Sequence, residues 1–180
     1  MLAALCGFAY GWHERSVNPP FVITRKTEEP PEVKFLRKGR YDDAARATLD
    51  SIKDEKKDYF KYQSVAAVYG ARAVKDPSNR EKWTEQAAFY LGKSVSLAPN
   101  DSINLMAAAL GIDRIGDISS QGCPYYEKAR HYAQDSMSQL KSDSIFVGDE
   151  KMPTKPIRDE LGKFLTRLQG KMETKCTNKF

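Results

Sequence analysis

Tyr62-Gln-Ser-Val65-Ala66-Ala-Val-Tyr69 and Leu105-Met-Ala-Ala108-Ala109-Leu-Gly-Ile112 set a large apolar, a small or aliphatic, a small and a large apolar residue at the same four positions, 43 residues apart. Gaps of three, one and three place all four on one face of an α-helix. A second series accompanies them. Tyr41-Asp-Asp-Ala44 leads to Asp50-Ser51-Ile52, Trp83-Thr-Glu-Gln-Ala87 leads to Lys93-Ser94-Val95, and Tyr126-Glu-Lys-Ala129 leads to Asp135-Ser136-Met137. In every copy the alanine is followed seven positions later by serine and eight later by an aliphatic residue or methionine, again one helical face. The alanines stand 43 and 42 residues apart, so the unit is two helices and the chain is an internal repeat.

Working outward from these faces, helices are expected over 32–38, 42–53, 58–74, 80–97, 102–115 and 124–140. Between paired helices lie Lys75-Asp-Pro-Ser-Asn-Arg80 and Gly116-Asp-Ile-Ser-Ser-Gln-Gly-Cys123, rich in turn-forming residues. A further helix over 155–172 carries Ile157, Leu161, Phe164, Leu165, Leu168 and Met172 as one stripe. The basic series Lys163, Arg167 and Lys171 reads as its solvated face. A last repeat would otherwise expose its apolar side, so this helix is expected to cap the stack.

The pattern Tyr62-x2-Val65-Ala66-x2-Tyr69 resembles the first helix of the tetratricopeptide repeat (TPR) family. Gly39-x-Tyr41-x2-Ala44 resembles the turn between its helices, and Ala87 with Pro99 twelve residues later resembles its second helix and closing proline. The family repeats about every 34 residues, whereas this chain repeats at 42 to 43, and the first copy lacks a full first helix. The repeats are therefore degenerate. The resemblance implies an all-α fold, a short α-α superhelix of helical hairpins with a C-terminal capping helix. It also implies a concave groove lined by first helices, and the family's groove positions fall on Phe60, Gln63, Ala67, Ile103, Met106, Leu110, Asp113 and Arg114. That set is mainly apolar. It lacks the basic and asparagine positions with which some members clamp a C-terminal carboxylate, so an apolar peptide or helix is the expected ligand. The competing reading makes the same residues core, with the groove filled by the chain's own N-terminal arm or C-terminal helix.

Ahead of the repeats, residues 1–15 begin with MLAALCGFAYGW, an uncharged apolar run that ends at His13, Glu14 and Arg15. It is shorter than the roughly 20 apolar residues a bilayer span needs and has no basic n-region. Leu5 stands where a lipobox before Cys6 would need a small residue. Three readings remain: a remnant of a signal or anchor, which is favoured, an arm that docks on a partner, and an element covering the repeats. Residues 16–31, SVNPPFVITRKTEEPP, hold four prolines in two pairs and read as an extended linker. The division is thus an apolar segment over 1–15, a linker over 16–31, repeats over 32–145, and a capping helix and tail over 146–180. A membrane-anchored or exported chain is preferred to a cytoplasmic one.

A net charge of +5 invites acidic partners, but lysine and arginine are interleaved with acids, which does not favour nucleic acid. Cys6, Cys123 and Cys176 form no CxxC pair. They read as free thiols, with a Cys123–Cys176 bridge as the alternative in an oxidising compartment. Only His13 and His131 are present, no GxGxxG, Walker A, HExxH or GxSxG string occurs, and the acid pair Asp42 and Asp43 and the DEKKD run sit at helix starts or in loops. The expectation is a chain without catalysis, cofactor or metal. It would bind another protein or peptide, or a second copy of itself, with membrane contact through residues 1–15. The principal reading is a tethered interaction module or scaffold. The second is a structural accessory subunit of a larger membrane complex, with the apolar arm buried in it.

Overall fold

Alanine at the repeat positions lets helices approach closely, and Ala44, Ala87 and Ala129 are all buried, at 0, 1 and 0% exposure. Around them, the computed structural model describes residues 30–147 and 150–176. Segment 1–15, linker residues 16–29 and tail residues 177–180 lie outside the described residues. Seven α-helices are found among the described residues: α1 (Pro31–Arg37), α2 (Tyr41–Asp50), α3 (Tyr59–Lys75), α4 (Arg80–Leu97), α5 (Ser102–Ile118), α6 (Gly122–Gln139) and α7 (Thr154–Cys176). The chain has the expected all-α class. Helices pair as consecutive hairpins, α1 on α2, α3 on α4 and α5 on α6, with α3 also packed on α5 and α7 on α6.

Several boundaries differ from the sequence reading. Pro31 is not linker but the first residue of α1, where a missing amide donor costs nothing. α5 continues through Gly116 to Ile118, so the turn expected from Gly116 to Cys123 shrinks to three residues. The reason is packing: a Cβ on Gly116 would lie 2.6 Å from the Tyr126 ring, and the Gly122 position abuts the Gly116 carbonyl. Glycine at both places lets two helix ends touch. A 3-10 turn, Pro77–Asn79, leads into α4. The long repeat period thus resides in helices of 17 and 18 residues rather than in loops. Between α6 and α7 lies an unforeseen antiparallel hairpin, β1 (Ser144–Val147) with β2 (Glu150–Pro153), Ser144 opposite Pro153 and Val147 opposite Glu150. It occupies part of the region assigned to cap and tail. Thr154 Oγ1 donates to the Ser142 carbonyl at 2.5 Å and fixes where α7 starts.

The main core joins Ala66, Leu91, Ala108, Ile112, Tyr126 and Ala133 with Leu161, Phe164 and Leu168 of α7. Burying each leucine or phenylalanine contributes about 2 kcal/mol, so the cap stripe belongs to the fold's principal core. A smaller cluster of Ala44, Ala45, Val65 and Val68 anchors the first hairpin, and Gly39 supplies the positive φ of +70° at its turn. Cys123 and Cys176 are bridged, with Cα atoms 5.6 Å apart, which corrects the free-thiol expectation. The pairing arises because α7 brings its last turn back to the start of α6.

Candidate protein-binding site

Each repeat serine makes a different contact. Ser51 Oγ donates to the Thr48 carbonyl at 2.6 Å, Ser94 Oγ to Asn104 Oδ1 at 2.5 Å and Ser136 Oγ to the Ser102 carbonyl at 2.7 Å. Asn104 is the hub between hairpins, since its Oδ1 also accepts from Gln63 Nε2 at 2.5 Å while its Nδ2 donates to the carbonyls of Ser94 and Ala98 at 3.0 and 3.1 Å. Asp101 caps α5 by accepting from the amides of Ile103 and Asn104 at 2.9 and 3.0 Å, and Tyr59 donates to its other oxygen. Burial first, and then this Asp101 partner, pushes the Tyr59 phenol far above its ordinary range. These bonds hold α3 beside α5, the arrangement the groove residues require.

Of the eight expected groove residues, two are used inside the fold. Gln63, 9% exposed, is committed to Asn104, and Asp113, 4% exposed, accepts from Lys171 Nζ at 2.7 Å and from Arg167 Nη2 at 3.4 Å. The C-terminal helix therefore covers that end of the surface. Lys171 and Arg167 are for the same reason not a purely solvated face. Phe60, Ala67, Ile103 and Met106 are half-buried, Met106 against the main core, while Leu110 is 39% exposed and Arg114 is exposed. Phe60 and Ala67 share the face of α3 that bears Gln63, whereas Ile103, Met106 and Leu110 share a face of α5 turned away from Asn104.

Asp117, next along the α7 side of α5, lies 2.6 Å from Lys171 and 3.1 Å from Lys175, and accepts from the Tyr126 hydroxyl at 2.9 Å. Burial raises its carboxyl, but the hydrogen bonds from Lys171, Lys175 and Tyr126 outweigh it and the net shift is downward. Lys175 is raised in turn by Tyr126 and Asp117. The other hairpin has an analogous pair, Trp83 Nε1 donating to Asp76 at 2.9 Å, which holds Asp76 below its usual range.

Two features escaped sequence reasoning. Tyr62, Tyr90, Tyr69 and Trp83 stack alternately from α3 and α4, with centroid separations of 6.2, 5.7 and 6.0 Å and planes within 11° of parallel. Arg72 lies 3.6 Å over the Trp83 ring at one end and Lys93 4.4 Å over the Tyr62 ring at the other. The seven-residue spacing within each helix was the available signal. The second feature is a cleft of about 520 Å³ between α4 and α6, beside Phe89, which is 61% exposed. An apolar side chain outside the repeat stripe gives no periodic signal.

His131 is exposed, 3.4 Å from Asp135. Among the described residues no group of three or more His, Cys, Asp or Glu is placed to hold a metal ion, and no helix is long and apolar enough to cross a membrane. Comparison of the chain with protein-family models, curated proteins and solved structures finds no match.

Proposed function

We propose that this chain is a non-catalytic protein-interaction module, a scaffold that receives an apolar peptide or helix of another protein on its hairpin stack. The reading takes the hairpins as degenerate TPR-like units of a short superhelix. The order of helix packing, each hairpin on the next with α3 against α5, supports that. The observation that carries the binding role is the α5 row of Ile103, Met106 and Leu110, spaced three and four residues apart, which ends in a Leu110 that is 39% exposed. Apolar anchors at such spacing on rigid helices suit an amphipathic helix or an extended apolar segment. α7 narrows the surface by covering Asp113, leaving the α5 row from Ile103 to Leu110 as the contact region. Residues 1–15 would tether the module to a membrane.

Site-specific photocrosslinking in the native host tests this. A benzoylphenylalanine in place of Leu110 is expected to yield a discrete protein adduct, and one in place of His131 to yield none. Equal or absent adducts at both positions sink the reading. Light scattering with circular dichroism on the oxidised chain is expected to give a helical monomer. An aggregate that becomes soluble only with other subunits would instead identify an accessory subunit.

A further inference from the structure

We propose that Asn100, at the tip of the turn between α4 and α5, is a modification site that takes an N-linked oligosaccharide from a polyprenyl-diphosphate carrier. The inference goes beyond the binding role and stands on the Cys123–Cys176 bridge instead. Asn100-Asp101-Ser102 sets a hydroxyl residue two positions after an asparagine with no proline between, the pattern that N-linked transfer reads. The other asparagines do not meet it: Asn18 precedes Pro19, and Asn79, Asn104 and Asn178 have Glu81, Met106 and Phe180 at the second position.

Local structure presents this asparagine. Pro99 fixes φ at the second position of a β-turn that the Asp101 amide closes by donating to the Ala98 carbonyl at 3.3 Å, and Asn100 stands at the third position. Its side chain is exposed. Of the three side chains in the pattern, the fold uses that of Asp101, whose carboxylate caps α5 and accepts from Tyr59. Neither the Asn100 amide nor the Ser102 hydroxyl bonds to another described residue. Asn104, one helical turn on, shows the opposite: it is 2% exposed and its amide donates to two carbonyls. A structural asparagine in this region spends its amide on the fold, and Asn100 keeps its amide for other chemistry.

The compartment supplies the second condition. A bridge between Cys123 and Cys176 forms and persists in an oxidising, exported setting, where N-linked transfer to surface asparagines takes place. There Asn100 Nδ2 forms a bond to C1 of the first sugar and the bond from C1 to the diphosphate oxygen breaks. The diphosphate carrier leaves, and one amide proton passes to a base on the transferase. The oligosaccharide then covers the α4–α5 turn. Leu110 lies eight residues beyond Ser102, the first residue of α5. That is about 12 Å along the helix axis, so the apolar row stays open at its far end.

The chain purified unreduced from its native host, digested and mapped by mass spectrometry, tests the proposal. The peptide containing Asn100 is expected to carry a sugar mass that peptide N-glycosidase F releases, leaving aspartate in place of the asparagine. Asn100→Gln and Ser102→Ala should each abolish the modification, Ser102→Thr should keep it, and circular dichroism should be unchanged in all three. An unmodified Asn100 in a chain whose Cys123–Cys176 bridge is formed would overturn the site. Three free thiols together with an unmodified Asn100 would overturn the oxidising compartment on which the site stands. Sugar retained by Asn100→Gln would overturn the assignment to this residue. Crosslinking at Leu110 is read separately, so none of these outcomes is confused with failure of the interaction module.

Discussion

Gln63 on α3 donates to Asn104 on α5 across 41 residues of sequence, with Nε2 2.5 Å from Oδ1. The bond makes one hairpin's first helix a fixed neighbour of the next. Because Ser94 shares the same acceptor and two carbonyls take the Asn104 amide hydrogens, the network is fully satisfied at its centre.

Replacing the hub should therefore cost more than replacing a spoke. Asn104→Ala removes the oxygen that Gln63 and Ser94 share and one of the two donors to each of the Ser94 and Ala98 carbonyls, which keep the amides of Ala98 and Asp101, and is expected to destabilise by about 2 kcal/mol. Gln63→Leu leaves Asn104 Oδ1 with Ser94 and should cost about 1 kcal/mol. Urea denaturation monitored by circular dichroism checks the order, and equal losses would contradict it.

The glycines should separate into two groups. Gly122→Ala drives a methyl into the Gly116 carbonyl and Gly116→Ala drives one to 2.6 Å from the Tyr126 ring, so each is expected to lose about 1–3 kcal/mol. Gly92→Ala meets nothing closer than 3.7 Å and should gain about 0.5–1 kcal/mol from helix propensity. Thermal melting of the three variants decides this.

Bridging Cys123 to Cys176 closes a loop with a sequence separation of 53, for which chain entropy estimates about 4 kcal/mol of stabilisation. Cys176→Ser, or reduction, is expected to lower the melting temperature, with α7 loosening from its C-terminal end. Thiol titration of the unfolded, unreduced protein should count one free cysteine of the three in the chain, Cys6. A count of three would refute the bridge.

Acid should weaken the fold through particular carboxylates. Asp76, held low by Trp83, Glu81, held low by Ser119 and the Ser120 amide, and Asp117, where Lys171, Lys175 and Tyr126 outweigh burial, all have folded-state values below their unfolded ones. Their contribution is present above the ordinary carboxylate values of 3.8 and 4.5 and is lost as pH falls through the lower folded values. Melting temperature is expected to drop steeply below about pH 4, and Asp76→Asn should flatten that slope. An unchanged slope would remove Asp76 from the account.

Much of the fold was legible along the chain. Helical periodicity is a local property, so the faces bearing Ala44, Ala87 and Ala129, the extent of α4 and the apolar stripe of α7 could be read from residues a few positions apart. What failed was decided by packing between helices. The α5 helix passes Gly116, usually a breaker, because Tyr126 and Gly122 compensate from the neighbouring helix.

The proposed binding surface was less legible, since a helical face shows which residues share a side but not what covers that side. Asp113 looked like a groove residue until Lys171, 58 positions later, was found against it, and Gln63 until Asn104 was. Composition and spacing were enough for the helices, their pairing as hairpins and the alanine core. The path of the chain settled the Cys123–Cys176 bridge, the burial of Asp113 and the open cleft beside Phe89, because each depends on elements that meet only after the helices have packed.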